Sequence, residues 1–155
     1  MKNKEGFVAL VLVLVLSIIS LYFINYWQNI GLLRDSVTKK YIYEKQYRAT
    51  EALCKFGIYF CINNYVLIEK YENSSEIVIF KGRWPAGDII NYDGLLKLKK
   101  NGPELLVEAL TLESNSTNKI TIKTNIHREL VFEQNKPLQK FIITNWSEKS
   151  AMILT

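Results

Sequence analysis

Hydrophobic and polar positions divide this chain into three regimes. Residues 7–24, Phe-Val-Ala-Leu-Val-Leu-Val-Leu-Val-Leu-Ser-Ile-Ile-Ser-Leu-Tyr-Phe-Ile, carry no charge and follow the short charged leader Met1-Lys2-Asn3-Lys4-Glu5-Gly6. A helix of that length comes close to spanning the ~30 Å hydrocarbon core. From Asn25 to Cys61 only Gly31 and Gly57 interrupt helix-forming sequence. Leu33, Val37, Tyr41, Ala49, Leu53, Phe56 and Phe60 recur at helical spacing, with Lys45 in the gap between Tyr41 and Ala49. Membrane helix and amphipathic continuation together predict a helix of about 50 residues, ~80 Å long.

Asn63-Asn64 and Asn73-Ser74-Ser75 end the helical pattern, and a two-fold alternation begins. Glu76–Lys81 reads as a strand, and Arg83–Asp93 as a loop turning at Pro85 and Gly87. Leu96 and Leu98 alternate with Lys97 and Lys99. Asn101-Gly102 is a hairpin signal, and Leu105–Leu112 is the returning strand. After the polar turn Ser114–Asn118, Ile120, Ile122 and Ile126 share one face, opposite Thr121, Lys123 and Asn125. Leu130–Phe132, Phe141–Thr144 and Ala151–Leu154 complete an antiparallel series, with Asn135-Lys136-Pro137 as a break. The expected fold class is α+β: one long N-terminal helix whose apolar stripe over 33–60 covers an antiparallel sheet. The expected organisation is leader 1–6, transmembrane helix 7–27, amphipathic continuation 28–64 and β head domain 73–155. The part outside the membrane, about 125 residues, suffices for one compact domain.

The net charge of +5 is spread out, with Lys97, Lys99 and Lys100 its densest patch. That patch reads as a solvated strand face; no nucleic-acid module accompanies it, so no nucleic-acid partner is expected. Cys54 and Cys61 lie two turns apart in an unbroken helix, about 10.5 Å along the axis. A disulfide needs Cα atoms within ~7 Å, so their pairing requires a break, which Gly57 could supply. With one His (His127) and no C-x-x-C spacing, no metal site and no cofactor are expected. Asp88 and Asp93 fall short of an oxygen cage, and the Asn73, Asn115 and Asn145 triplets are chance glycosylation matches. No G-x-S-x-G, H-E-x-x-H or P-loop occurs, so no enzyme activity is expected. Trp84 and Trp146 fall near loops and read as half-buried packing.

Three readings compete for the N-terminal region. A secretory signal peptide has a 7–15-residue apolar region and a small-x-small site, whereas this run is longer and ends in Tyr22-Phe23-Ile24-Asn25-Tyr26-Trp27. A plain single-span anchor fits the length and the aromatic end, since Tyr22, Tyr26 and Trp27 suit the membrane interface. Lys2 and Lys4 favour a cytoplasmic N-terminus. The third reading rests on Lys4-Glu5-Gly6-Phe7-Val8-Ala9-Leu10, which resembles the class III signal of type IV prepilins and pseudopilins. The resemblance implies cleavage between Gly6 and Phe7 by a prepilin peptidase and methylation of the new terminal Phe7. It also implies helix assembly in the membrane through Val8, Leu10, Val11 and Leu14. The partners implied are other pilins or pseudopilins, the peptidase and inner-membrane lipid. The implied location is the inner (cytoplasmic) membrane, single-pass, with the C-terminal domain in the periplasm or cell exterior.

One departure refines that expectation. The family's fifth mature residue is typically Glu, and here that position is Val11. A carboxylate there would pair with the buried α-amino group of a neighbouring subunit. Its absence resembles the minor subunits of the tip complex, so the expected function is a minor (tip or priming) subunit of a type IV pilus or type II secretion pseudopilus. The alternative is a membrane-anchored extracytoplasmic binding domain that does not polymerise.

Overall fold

The computed structural model describes residues 2–72, 75–85, 91–113, 118–133 and 136–151. Among these residues are two helices, α1 (Lys2–Asn63) and α2 (Tyr65–Glu69), then five strands: β1 (Glu76–Pro85), β2 (Asn91–Asn101), β3 (Glu104–Glu113), β4 (Lys119–Glu133) and β5 (Lys136–Ala151). The strands form one antiparallel sheet in the order β1-β2-β3-β4-β5. The chain divides into two compact units, 1–42 and 43–155, and the sheet with the helical residues that pack on it lies in the second. The architecture is α+β, as the sequence predicts.

Alternation decides which face of the sheet is buried. Leu96 and Leu98 of β2 stand opposite Ala109 and Val107 of β3, which stand opposite Ile122 and Thr124 of β4. Leu105 faces Ile126, and Thr111 faces Ile120. All of these side chains are buried. The helical cover uses Gln46, Ala49, Thr50, Leu53, Cys54, Ile58 and Cys61 of α1, continued by Tyr65 and Ile68 of α2. Those spacings of three and four form one helical stripe.

This stripe is not quite the one the large apolar residues suggest. Ala49 and Leu53 belong to it, but Phe56 is exposed and Phe60 is only half-buried, at the flank of the core. Leu33, Val37 and Tyr41 are exposed and lie in the first unit. The true cover is made of smaller and more polar residues, because the backbone comes close to the sheet. A Cβ on Gly57 would stand 2.7 Å from Leu96 Cδ1 and 2.9 Å from Val107 Cγ1. Gly57 is therefore a point of close approach rather than a helix break. The pairing of Cys54 with Cys61 that a break would permit does not form, and both thiols are free.

The helix ends where two asparagines stand in sequence. Asn63 and Asn64 donate their side-chain amides back to the carbonyls of Tyr59 and Phe60, at 3.0 and 2.9 Å, as second donors beside the helix ladder, since the Phe60 carbonyl also accepts the Asn64 backbone N–H at 3.0 Å. Beyond it, three sequence expectations are corrected. Arg83–Pro85 and Asn91–Asp93 are not loop but paired strand, with Trp84 opposite Tyr92 and Gly82 opposite Gly94; the glycines hide the alternation. Of that predicted loop, 86–90 lie outside the described residues, as do 114–117 of the next turn.

The hairpin loop between β2 and β3 is Gly102-Pro103 rather than Asn101-Gly102, since Asn101 pairs with Glu104. Gly102 has φ 60° and Pro103 is fixed near −65°, the combination of a type II′ turn. The break between β4 and β5 falls before Lys136 and Pro137, which already belong to β5, and β5 includes the strand predicted at 141–144 and runs on to Ala151. Residues 152–155 lie outside the described residues. The strand is disguised by a bulge: Asn145 (φ 55°) and Trp146 together oppose Thr124. The strand then continues through polar residues with no apolar alternation.

Gly57 supplies a test. Gly57→Leu inserts a side chain where Leu96 and Val107 already stand and should cost about 1–3 kcal/mol, read as a lower urea midpoint of the full-length protein in detergent. At Gly31 an added Cβ would meet nothing within 4 Å and Ala is the better helix former, so Gly31→Ala should not lower the midpoint.

Candidate functional site

The residues singled out by sequence for processing and assembly, Gly6, Phe7, Val8, Leu10, Val11 and Leu14, all lie on α1 within the first unit. Phe7, Val8, Leu10, Val11 and Leu14 are exposed, and a Cβ at Gly6 would meet nothing within 4 Å. Phe7, Val8 and Val11, with Leu12 and Val15, line a shallow apolar groove on one face; Leu10 and Leu14 lie one turn apart on another. None of this apolar run is buried by the rest of the protein. The segment is long and apolar enough to cross a membrane.

Its polar atoms are managed accordingly. The Ser17 and Ser20 hydroxyls donate to the carbonyls of Val13 and Leu16, both at 2.8 Å. Each hydroxyl thus finds its partner one turn back, and neither requires water. Neither carboxylate nor ammonium occurs between Phe7 and Ile24, so a uniform low-dielectric environment charges no desolvation penalty for an ion here.

The second unit holds the other candidates apart. Cys54 and Cys61 are fully buried in the core. Burial pushes each thiol up to about 12, helped by the Glu51 carboxylate at Cys54 and by Cys54 at Cys61. Lys97 is paired with Glu76, whose hydrogen bond to the ammonium holds the carboxyl below its usual range and raises Lys97 in turn. Lys100 Nζ donates to the carbonyls of Glu69 and Tyr71 at 2.6 and 3.0 Å. Lys99 is exposed and adds its charge to the field that lowers Glu76, so the patch is divided among separate structural contacts.

His127 is half-buried on the sheet face opposite the core, between Glu104 and Ile142 in the register. Asp93 is exposed and paired in the ladder with Arg83, while Asp88 lies outside the described residues. Among the described residues, no three His, Cys, Asp or Glu side chains gather as a metal would need. Trp84 packs in an aromatic cluster, 5.9 Å from Phe56 and 5.4 Å from Phe80 between ring centroids. Trp146 is exposed on the β5 bulge.

Sequence reading missed a buried polar lock. Gln46 Nε2 donates to the carbonyls of Thr111 and Asn118, both at 3.1 Å. Thr50 is bonded to Thr111 side chain to side chain and donates to the Gln46 carbonyl at 2.9 Å. A second clamp holds α2: Arg128 reaches Glu69 at 3.2 Å and stacks 4.8 Å from the Tyr65 ring centroid. The available signal was the phase of Gln46 and Thr50, which fall on the Ala49–Leu53 face.

No family model, curated protein or solved structure matches this chain.

The thiols give a chemical test of the second unit. In the native protein at pH 8, Cys54 and Cys61 should not react with a thiol reagent, and denaturant should release two reactive thiols per chain. Because both are raised above the value of an unfolded cysteine, their contribution to stability is complete below about pH 8.5. It is lost as pH rises towards 12. The urea midpoint should therefore fall across that alkaline window, and less so in a Cys54→Ala, Cys61→Ala double variant.

Proposed function

We propose that this chain is a prepilin-like structural protein, a minor (tip or priming) subunit of a type IV pilus or of a type II secretion pseudopilus. The observation that carries the reading is the composition of α1. One helix, Lys2–Asn63, bears an exposed charge-free apolar segment and, later, the stripe that covers an antiparallel sheet. With the Gly6-Phe7 junction ahead of it, that order of parts supports removal of the leader by a prepilin peptidase and a methylated Phe7. On this reading the chain is a substrate of that enzyme and not itself an enzyme. It sits as a single-pass protein in the inner membrane, N-terminus towards the cytoplasm and sheet unit outside, with other pilins or pseudopilins as partners.

Val11 supports the minor role. At the position where a carboxylate would neutralise a neighbour's buried amine, this helix offers only an isopropyl group. The same residue favours a second reading, an anchored extracytoplasmic binding domain that never polymerises. The two differ at the N-terminus and in what the protein accompanies.

The intact mass of the membrane-extracted protein, from cells with an active prepilin peptidase, should show loss of Met1–Gly6 and gain of one methyl group. Gly6→Val should leave the leader in place without moving the urea midpoint of the second unit. Retention of Met1 in the wild-type protein would overturn the proposal, and a processed protein that never accompanies sheared filaments would favour the anchored domain.

A further inference from the structure

The membrane reading accounts for the apolar surface of α1 up to Trp27, but not for the apolar side chains beyond it. Ile30, Leu33, Val37 and Tyr41 are 41%, 66%, 61% and 63% exposed, at spacings of three and four that place them on one helical face. Measured along the axis from Ile24, they stand about 9, 13, 20 and 25 Å further on. Interfacial layers extend only some 5–8 Å beyond the hydrocarbon. Lipid therefore does not reach the upper part of the stripe. Arg34, Asp35, Lys39 and Lys40 are interleaved with it, so the helix cannot slide deeper without burying charge.

An apolar helical stripe held in water calls for a partner, and the geometry restricts which. A helix rising beside this one at the same height would cover it. A second copy meets that condition automatically, because an identical spanning segment sets it at an identical depth.

The heptad also fits a copy. With Ile30 and Val37 at a and Leu33 at d, Tyr26 takes the preceding d position, and the seam continues into the span through Phe23, Ile19, Leu16 and Leu12, all apolar. The flanking g and e positions are Asn29, Ser36, Arg34 and Tyr41. In a parallel pair Asn29 meets Arg34 and Ser36 meets Tyr41, so no like charges oppose each other. Lys40, at the next d position, ends the seam.

We propose that the stripe Ile30, Leu33 and Val37, flanked by Tyr26 and Tyr41, is the contact between two parallel copies of this chain just outside the membrane. The inference rests on the membrane-spanning part of the functional reading and not on pilus assembly.

Single cysteines placed in the full-length protein in native membranes test it, since the native Cys54 and Cys61 are buried. Under mild oxidation Val37→Cys should give a product of twice the chain mass. Asp35→Cys, on the opposite face, should give at least about tenfold less, because its Cα atoms lie beyond disulfide reach in such a pair. Leu33→Lys should lower the Val37→Cys cross-link by a similar factor. Equal cross-linking at both positions, none at Val37, or a product with a different protein would overturn the proposal. Release of the protein from the membrane pellet by carbonate would instead overturn the spanning reading beneath it, and the dimer with it. The N-terminal mass, which tests processing, is independent of either result.

Discussion

A single antiparallel sheet with one apolar face cannot stand in water until something covers that face, and here the cover is the last part of α1. Leu96, Leu98, Leu105, Val107, Ala109, Ile120, Ile122 and Ile126 form a surface that meets no second sheet among the described residues. The helix lies close because Gly57 offers no side chain where Leu96 and Val107 project. Close approach in turn demands small neighbours, and Ala49, Thr50, Cys54 and Cys61 supply them. Dispersion and apolar burial hold the layers together, but neither is directional. Gln46 and Thr50 add direction: their bonds to Thr111 and Asn118 are satisfied in one register and would be broken, at a cost of about 1–3 kcal/mol for each buried group, in any other.

How much of this was legible in the sequence is decided by the same physics. The long helix, its end at Asn63-Asn64, the shift to alternation and the antiparallel class could all be read, because each is a local pattern. The phase of the helical stripe could be read only in part. Large aromatics such as Phe56 and Phe60 draw attention in a periodicity argument, whereas the sheet selected small residues and two polar ones. Gly57 looked like punctuation because a sequence records a missing side chain but not the neighbour that fills its place. Strand ends were hidden by Gly82 and Gly94, and the unity of β5 by the Asn145-Trp146 bulge. Polar strand residues from Ser147 onward are recruited by pairing with β4, a long-range interaction that leaves no local trace.

The first unit poses a simpler problem, and its candidate residues are legible for that reason. From Phe7 to Ile24 the side chains need no individual partners; the two hydroxyls bond to their own helix, and no ion calls for a counter-ion. Such a segment is defined by what surrounds it rather than by what it contacts within the chain. The second unit, by contrast, carries its charges in separate local contacts, Lys97 with Glu76, Lys123 with Glu108 and Arg128 with Glu69.

The strand order has a consequence for biogenesis. Every sheet neighbour is also a sequence neighbour, so each newly delivered strand adds to the one before it through a short connection, and pairing proceeds with low entropic cost of closure. The covering helix, however, is delivered before any strand exists. Until β2, β3 and β4 have all been synthesised, the stripe from Gln46 to Cys61 is without its counterpart. Chain delivery thus exposes the cover first and its substrate last, and the interval between them is when this protein most needs protection from unrelated apolar surfaces.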